Sequence, residues 1–350
     1  MTGKYMAYVG SYSYTGKAKG ITVYDVDVEA GKFIYRCEVE VDNSSYLKAS
    51  QNGQILYSIA DEGVVAFRVL SNGSLARLNS ANIRGMRGCH LSTSKADDYI
   101  FISGFHDGKI TVLNLNKDGA VGQIADGVFH KGLGSVAERS FRPHVSCSRL
   151  TPDERFLMVA DLGIDQIKVY RFDHKDGKIT LVDTIRCELE SAPKYFMFSS
   201  DGRFFYVLYE LKNMIEVYSY KEGERVPIVE KIQTIPSTGS KPNQLTAACA
   251  MHLSPDEKHL FCSNAGDNTV SMYDRDDETG MLTMRFCLPI SGDYPKDIAI
   301  FPDGKHLASI NHEGSISFFK IDYEKGLLVM SDRSIKVNEP NCCEIVKIGE

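Results

Sequence analysis

The sequence lacks several features that would point to a membrane protein or a nucleic-acid-binding protein. No apolar run of about 18 residues occurs in its 350 residues, so we expect no membrane-spanning helix and no membrane partner. The opening residues MTGKYMAYVGSYSYTG contain no basic region followed by an apolar stretch, and we expect no secretory signal. Lysine and arginine (40) are fewer than aspartate and glutamate (46), and the net charge of −6 argues against nucleic acid as a partner.

Motifs for metals and activated nucleophiles are also missing. The nine cysteines are scattered without a CxxC pair, which argues against a zinc ribbon and fits a reduced, cytoplasmic protein. Neither a GxSxG nucleophile elbow nor an HExxH zinc motif occurs. We therefore expect no cofactor. A divalent metal in a central channel stays open as an alternative, because four histidines can approach one another there: His90, His106, His144 and His312.

What the sequence does contain is a repeat that runs through the whole chain. Each unit has an apolar run, a polar turn, a second apolar run and a third run that ends in an acidic turn, as in PKYFMFSSDGRFFYVLYELKNMIEVYSYKEGER. The middle of the second run falls at Tyr8, Tyr57, Ile102, Met158, Tyr206, Phe261 and Ala308. Intervals of roughly 45 to 56 residues are typical of four-stranded propeller blades and not of helical repeats.

The repeat predicts an all-β fold, a seven-bladed β-propeller with four-stranded antiparallel blades around a central channel. Its apolar runs alternate with period two and are separated by hairpin turns such as Asp201-Gly202, and no segment shows sustained helical periodicity. Seven units in one ring predict a single domain over residues 1–350. The N-terminal unit has no opening strand of its own, so we expect segment 334–348 to help close the ring.

The topology of a propeller blade identifies candidate site residues. The first strand lines the channel and the second runs antiparallel beside it, so the start of the first and the end of the second share one rim. The opening positions carry Tyr46, His90, His144, Lys194 and Lys296, with Arg139 and Arg142 before the fourth unit; the ending positions carry Glu62, His106, Asp161, Glu210, Asn264, Asn311 and His312. Polar side chains that converge in a concavity indicate a functional site. The alternative is that individual residues tie neighbouring strands together.

Five motifs at this rim are similar to those of a known family. They are Pro143-His144-Val145-Ser146, Pro193-Lys194-Tyr195, Tyr209-Glu210-Leu211, Ser263-Asn264-Ala265-Gly266 and Pro295-Lys296-Asp297. Together with the repeat, they resemble the seven-bladed lactonase family, whose members include propeller-type 6-phosphogluconolactonases and a fungal carboxymuconate-lactonising enzyme. The resemblance covers essentially the whole chain. It implies a lactonase-type hydrolase that acts on a sugar-derived lactone, phosphorylated or carboxylated, at the mouth of the channel.

The chemistry of lactone hydrolysis assigns roles to these residues. His144 is the candidate base that activates water, because histidine titrates near neutral pH. Glu210 orients that histidine, holds the water or acts as the base itself. Lys194 stabilises the oxyanion or binds an anionic group. The remaining candidates are assigned to substrate binding: Lys296, Arg142, Arg139, His90, Glu62, Asp161, Asn264 and Asn311.

Three positions differ from the family pattern. Lys194 and Lys296 replace arginines, and Ala265 replaces a third cation. Lysine offers a point charge where arginine offers a planar fork, so these changes favour a lactone other than 6-phosphogluconolactone. Two alternatives stay open: a lyase or isomerase that acts on a carboxylated or oxidised sugar-like substrate, and a non-catalytic propeller that binds proteins. We expect a small anionic, sugar-like ligand and a monomer or weak homo-oligomer.

Overall fold

Every regular element that the structure describes is a β-strand. The structure is a computed structural model that describes residues 3–134, 141–239, 242–243 and 245–349. Within these ranges the strands form seven sheets of four antiparallel strands each, arranged around one channel. None of the described residues belongs to a helix that could span a membrane. The prediction of an all-β, seven-bladed propeller is confirmed.

The seven sheets are called blades 1 to 7. Blade 1 contains β1 (Lys4–Ser11), β2 (Gly20–Asp27) and β3 (Lys32–Glu40), and blade 2 contains β4 (Leu47–Ala49), β5 (Ile55–Ala60), β6 (Gly63–Val69) and β7 (Leu75–Asn82). Blade 3 contains β8 (His90–Thr93), β9 (Tyr99–Gly104), β10 (Lys109–Leu115) and β11 (Val121–Phe129), and blade 4 contains β12 (Val145–Leu150), β13 (Phe156–Asp161), β14 (Gln166–Phe172) and β15 (Ile179–Arg186). Blade 5 contains β16 (Pro193–Phe198), β17 (Phe204–Tyr209), β18 (Met214–Lys221) and β19 (Ile228–Pro236), and blade 6 contains β20 (Ala247–Leu253), β21 (His259–Ala265), β22 (Thr269–Arg275) and β23 (Leu282–Pro289). Blade 7 contains β24 (Pro295–Ile300), β25 (His306–Asn311), β26 (Ser315–Asp322) and β27 (Leu327–Lys336), and β28 (Pro340–Ile348) completes blade 1.

The ends of the chain meet in blade 1. Strand β28 pairs antiparallel with β1, from Lys4 opposite Ile348 to Ser11 opposite Pro340, and forms the innermost strand of that sheet. The C-terminal segment therefore supplies the strand that the N-terminal unit lacks, as the sequence predicted. The predicted segment began too early, because residues 334–336 belong to the outer strand β27 of blade 7.

The hydrophobic core lies between neighbouring blades. The second strand of blade 5, β17, is buried at every position. The outermost strand of the same blade, β19, contains only exposed and partly buried residues. Phe156 and Met158 of blade 4 pack in one cluster with Phe205 and Val207 of blade 5. Burial of one such side chain contributes roughly 1.5–3 kcal/mol, so the contacts between blades hold the ring together.

Tyrosines of the second strands link one blade to the next. In three places the hydroxyl donates to the carbonyl oxygen of a glycine in the outer hairpin of the following blade, namely Tyr8 to Gly73 at 2.9 Å, Tyr57 to Gly119 at 3.1 Å and Tyr206 to Gly280 at 3.1 Å. These glycines have φ of 86°, 85° and 70°. A residue with a side chain rarely adopts such angles, so the hairpin requires glycine at the point of contact.

Candidate active site

A cavity of about 480 Å³ lies at one mouth of the central channel, over the ends of the inner strands. Several residues that the sequence singled out line it together: Tyr46, His90, His106, His144, Lys194, Glu210 and Lys296. They belong to blades 2, 3, 4, 5 and 7, which the chain brings to one rim. A concavity with this many convergent polar groups is a candidate active site.

Five inner strands present a side chain to the cavity through the same irregularity. Near the start of β12, β16, β20, β24 and β28, the pairing with the second strand skips one residue. The skipped residues are Ser146, Lys194, Cys249, Lys296 and Asn341, and all of them line the cavity. A β-bulge re-aims the side chain of its extra residue. One repeated backbone feature therefore builds much of the cavity wall.

His144 lies directly before β12 and is fixed through its backbone and its ring. Its backbone N–H donates to Oδ1 of Asp161 at 2.8 Å, and its imidazole stacks on the ring of Phe105 at 4.3 Å between centres. Its Nδ1 lies 2.7 Å from the carbonyl oxygen of Phe105. Because a carbonyl oxygen only accepts, Nδ1 carries the proton, and the neutral ring has its lone pair on Nε2. His144 therefore lines the cavity in the tautomer whose Nε2 can act as a base.

Lys194 and Glu210 form an ion pair on the next blade. The Nζ of Lys194 donates to Oε2 of Glu210 at 2.5 Å, and the two side chains are 25% and 7% exposed. Burial favours the neutral amine, but Cys249 and the Glu210 carboxylate outweigh it and raise the pKa of Lys194 above its ordinary value. Lys194 therefore stays an ammonium, held in one position by Glu210.

Two further cations reach the cavity. The guanidinium of Arg87 lies 3.1 Å from Oδ1 of Asp61 and 5.1 Å from the centre of the Tyr12 ring. The Nζ of Lys296 lies 4.9 Å from the centre of the Tyr294 ring. A cation over an aromatic face is attracted by the ring and loses freedom of movement. Both charges are therefore held at the wall.

His90 lines the cavity as a neutral ring. Its imidazole is 4.7 Å from the ring centre of Tyr46 and 5.8 Å from that of Tyr195. Burial, together with the positive charges of Arg149 and Lys48, holds the pKa of His90 well below its usual value. His90 therefore contributes an apolar face and hydrogen bonds, but no positive charge, at physiological pH.

Three candidate residues are buried outside the cavity wall. Asp161 accepts the backbone N–H described above, Nδ2 of Asn264 donates to the carbonyl oxygen of Ser237 at 2.8 Å, and Nδ2 of Asn311 donates to Oγ of Ser317 at 3.0 Å. Such contacts tie neighbouring segments together, which was the alternative interpretation. A substrate-binding role for these three residues stays a prediction.

The remaining candidates are two exposed residues and one residue that the structure does not describe. Glu62 is exposed in the turn between β5 and β6, and exposed Arg142 lies 5.8 Å from the ring centre of Phe141. Neither is part of the cavity wall. Arg139 lies outside the described residues. Across the described ranges, no group of three or more His, Cys, Asp and Glu side chains is arranged to hold a metal ion.

Sequence reasoning missed part of the wall. The cavity is also lined by Arg87, Cys249, His252, Asp297 and Asn341. Asp297 directly follows Lys296 in a motif already singled out, but neighbouring residues of a regular strand face opposite sides, so that adjacency did not predict its position in the wall. Arg87 lies in a loop and His252 lies near the end of β20, and the rule considers only the start of each inner strand.

Comparisons with known proteins agree with this architecture. A family model described as "Lactonase, 7-bladed beta-propeller" matches residues 6–345. A 6-phosphogluconolactonase of Bacillus subtilis is 26% identical, over 98% of this chain and 99% of its own. A crystal structure of a candidate 6-phosphogluconolactonase from Bacteroides fragilis superposes with a TM-score of 0.89 at 30% identity, over 99% of this chain and 98% of its own. The periplasmic gluconolactonase of Pseudomonas aeruginosa has the same fold, with a TM-score of 0.90 at 24% identity, over 99% of this chain and 100% of its own.

Proposed function

Because the chain belongs to the lactonase family of seven-bladed β-propellers, we propose that it hydrolyses a sugar-derived lactone in the cavity at the mouth of its channel. One observation carries the proposal. The Phe105 carbonyl holds His144 with its base on Nε2, while the adjacent blade supplies a fixed ammonium at Lys194. A base for water beside a cation for the oxyanion is the minimum that ester hydrolysis needs.

The reaction begins with water. Nε2 of His144 takes a proton from a water molecule as its oxygen attacks the lactone carbonyl carbon, and general base catalysis of this kind contributes roughly 10²–10⁴-fold. The Nδ1–H of the resulting imidazolium stays bonded to the Phe105 carbonyl. The Lys194 ammonium faces the oxyanion, and such a donor is worth about 3 kcal/mol in the barrier. Collapse of the intermediate breaks the bond to the ring oxygen, and that oxygen must gain a proton to become the hydroxyl of the product hydroxy acid.

The charges of the wall support an anionic lactone as the substrate. Within the described residues, three cations line the cavity: Lys194 is paired with Glu210, Arg87 is paired with Asp61 and lies near the Tyr12 ring, and Lys296 lies near the Tyr294 ring. The planar fork of Arg87 can hold two oxygens of a phosphate or carboxylate at once. The names of the relatives make 6-phosphogluconolactone the first compound to test, with carboxylated lactones beside it.

A panel of lactones tests the proposal. Purified protein is assayed by acid release with 6-phosphogluconolactone, δ-gluconolactone and a carboxylated muconolactone, each corrected for spontaneous hydrolysis and each repeated with chelator. We expect turnover of at least one lactone and a loss of roughly 10²–10⁴-fold in His144→Gln. The absence of turnover for every lactone, or a normal rate in His144→Gln, would contradict the proposal.

A further inference from the structure

A second histidine enters the cavity from blade 6. His252 lies in β20, and its Nε2 is 2.9 Å from Oδ1 of Asp297, which lies in β24 of blade 7. Both residues line the cavity, and their side chains are 34% and 12% exposed. The mechanism above uses neither of them.

The carboxylate of Asp297 is oriented independently of the histidine. Its Oδ1 also accepts the backbone N–H of Ile298 at 2.9 Å, and its Oδ2 accepts the backbone N–H of Cys343 at 2.9 Å. An ionised carboxylate only accepts, so Nε2 of His252 must carry a proton. Nδ1 is then the atom of His252 that can bind or release a proton. Within the described part of the chain, Nδ1 has no hydrogen-bond partner.

Another histidine–aspartate pair in the same molecule is closed off from the cavity. Nδ1 of His130 lies 2.7 Å from Oδ2 of Asp161, and both side chains are fully buried. Burial lowers the pKa of His130, and the pair is not part of the cavity wall. His252 has the same kind of partner, yet a third of its side chain is open to the cavity.

The order of the blades places His252 two blades from the base. His144 belongs to blade 4, Lys194 and Glu210 to blade 5, and His252 to blade 6, so the blade of the ammonium lies between the blades of the two imidazoles, and all four residues line one cavity. Lactone hydrolysis needs two proton transfers, one from the attacking water and one to the ring oxygen that leaves. A single histidine handles both only if it moves between the two oxygens.

We propose that His252, oriented by Asp297, is the general acid of the reaction, an inference that rests on the lactonase function proposed above. As the bond between the carbonyl carbon and the ring oxygen breaks, Nδ1–H of the His252 imidazolium gives its proton to that oxygen and a hydroxyl forms. His144 holds the proton taken from water, and the product acid ionises. The cavity exchanges protons with solvent, which restores both rings and releases one proton net.

Leaving groups of different acidity test this role. Dihydrocoumarin releases a phenolate, which leaves without help, whereas δ-gluconolactone releases an alkoxide that needs a proton. In His252→Gln we expect the kcat/KM for δ-gluconolactone to fall roughly 10²–10⁴-fold and that for dihydrocoumarin to fall about tenfold or less. His144→Gln removes the base that both substrates need, so both rates are expected to fall together.

Matched variants separate catalysis from folding. Glutamine can still donate to Asp297, so thermal unfolding of His252→Gln is expected to match the wild type, and Asp297→Asn provides a second disruption of the same step. His259→Gln is the control, because His259 pairs with Asp274 at 3.1 Å away from the cavity wall, and we expect it to leave both rates unchanged. Equal losses on both substrates in His252→Gln would overturn the role of His252 alone. Failure of the wild type on these two lactones and on every lactone of the panel above would overturn the lactonase function and this inference with it.

Discussion

At the scale of single residues, the Lys194–Glu210 pair is expected to serve both the proposed reaction and the stability of the fold. In the proposed mechanism the ammonium faces the oxyanion, and the nearly buried carboxylate needs a positive partner. A variant that removes the ammonium is therefore expected to change both turnover and stability, and a second substitution can separate the two effects.

We predict that Lys194→Met lowers the free energy of unfolding by about 1–3 kcal/mol, because Glu210 loses its charged partner in a site with little solvent. Turnover is expected to fall by roughly 10²–10³-fold through loss of the oxyanion contact. Urea unfolding and steady-state kinetics measure the two effects.

The double variant Lys194→Met/Glu210→Gln provides the control for that pair. A neutral glutamine needs no positive partner, so we expect most of the lost stability to return while turnover stays low. Recovery of turnover in the double variant would show that Lys194 has no role in the chemistry.

Strand geometry explains why some residues of the cavity wall could be predicted from the sequence and others could not. Lys194, Lys296 and His144 open inner strands, and the topology of a propeller is enough to bring strand openings to one rim. Asp297 was missed because neighbouring residues of a regular strand face opposite sides. The bulge at Lys296 lets two consecutive residues face the cavity, and nothing in the sequence marks a bulge.

At the scale of elements, hairpins and strands differ in how far the sequence specifies them. The turns between strands carry glycine and aspartate at positions that their backbone angles require, so the number of strands was predictable. The outer hairpin of blade 6 shows how strict that requirement is. Gly280 has φ of 70°, and a Cβ placed on it would lie 2.4 Å from the ring of Phe204 in blade 5.

We predict that Gly280→Ala costs about 2–4 kcal/mol of unfolding free energy, because strain at positive φ adds to the clash with Phe204. Gly16→Ala is the matched control, since Gly16 has φ of 72° and nothing within 4 Å of the same Cβ. We expect that control to cost only about 1 kcal/mol. Equal costs in thermal or urea unfolding would mean that packing between the blades does not depend on this glycine.

At the scale of the whole molecule, the ring is closed by strand pairing between the two ends of the chain. Val346 and Ile348 of β28 belong to the core cluster shared by blades 1 and 2, and Cys343 belongs to the cluster shared with blade 7. The missing first strand of the N-terminal unit made this closure predictable from sequence. The exact start of β28 could not be predicted, because residues 334–336 fit the side-chain pattern of an outer strand equally well.

We predict that a chain ending at residue 339 does not form the closed ring. It loses β28 and several apolar contacts of roughly 1.5–3 kcal/mol each, against a total stability of about 5–15 kcal/mol for a typical protein. Circular dichroism is expected to show loss of a cooperative unfolding transition, and a synthetic peptide of residues 338–349 is expected to restore it. A truncated chain that unfolds cooperatively at the wild-type temperature would contradict this prediction.

Closure by β28 also fixes when the active site comes into being. Blades 2 to 7 leave the ribosome one after another and can fold as they appear. Asn341 of the cavity wall and the Cys343 amide that orients Asp297 are synthesised after all of those blades. If the proposed site is correct, we expect nascent chains that already carry His144, Lys194 and Glu210 to be inactive until translation has passed the last strand of the ring.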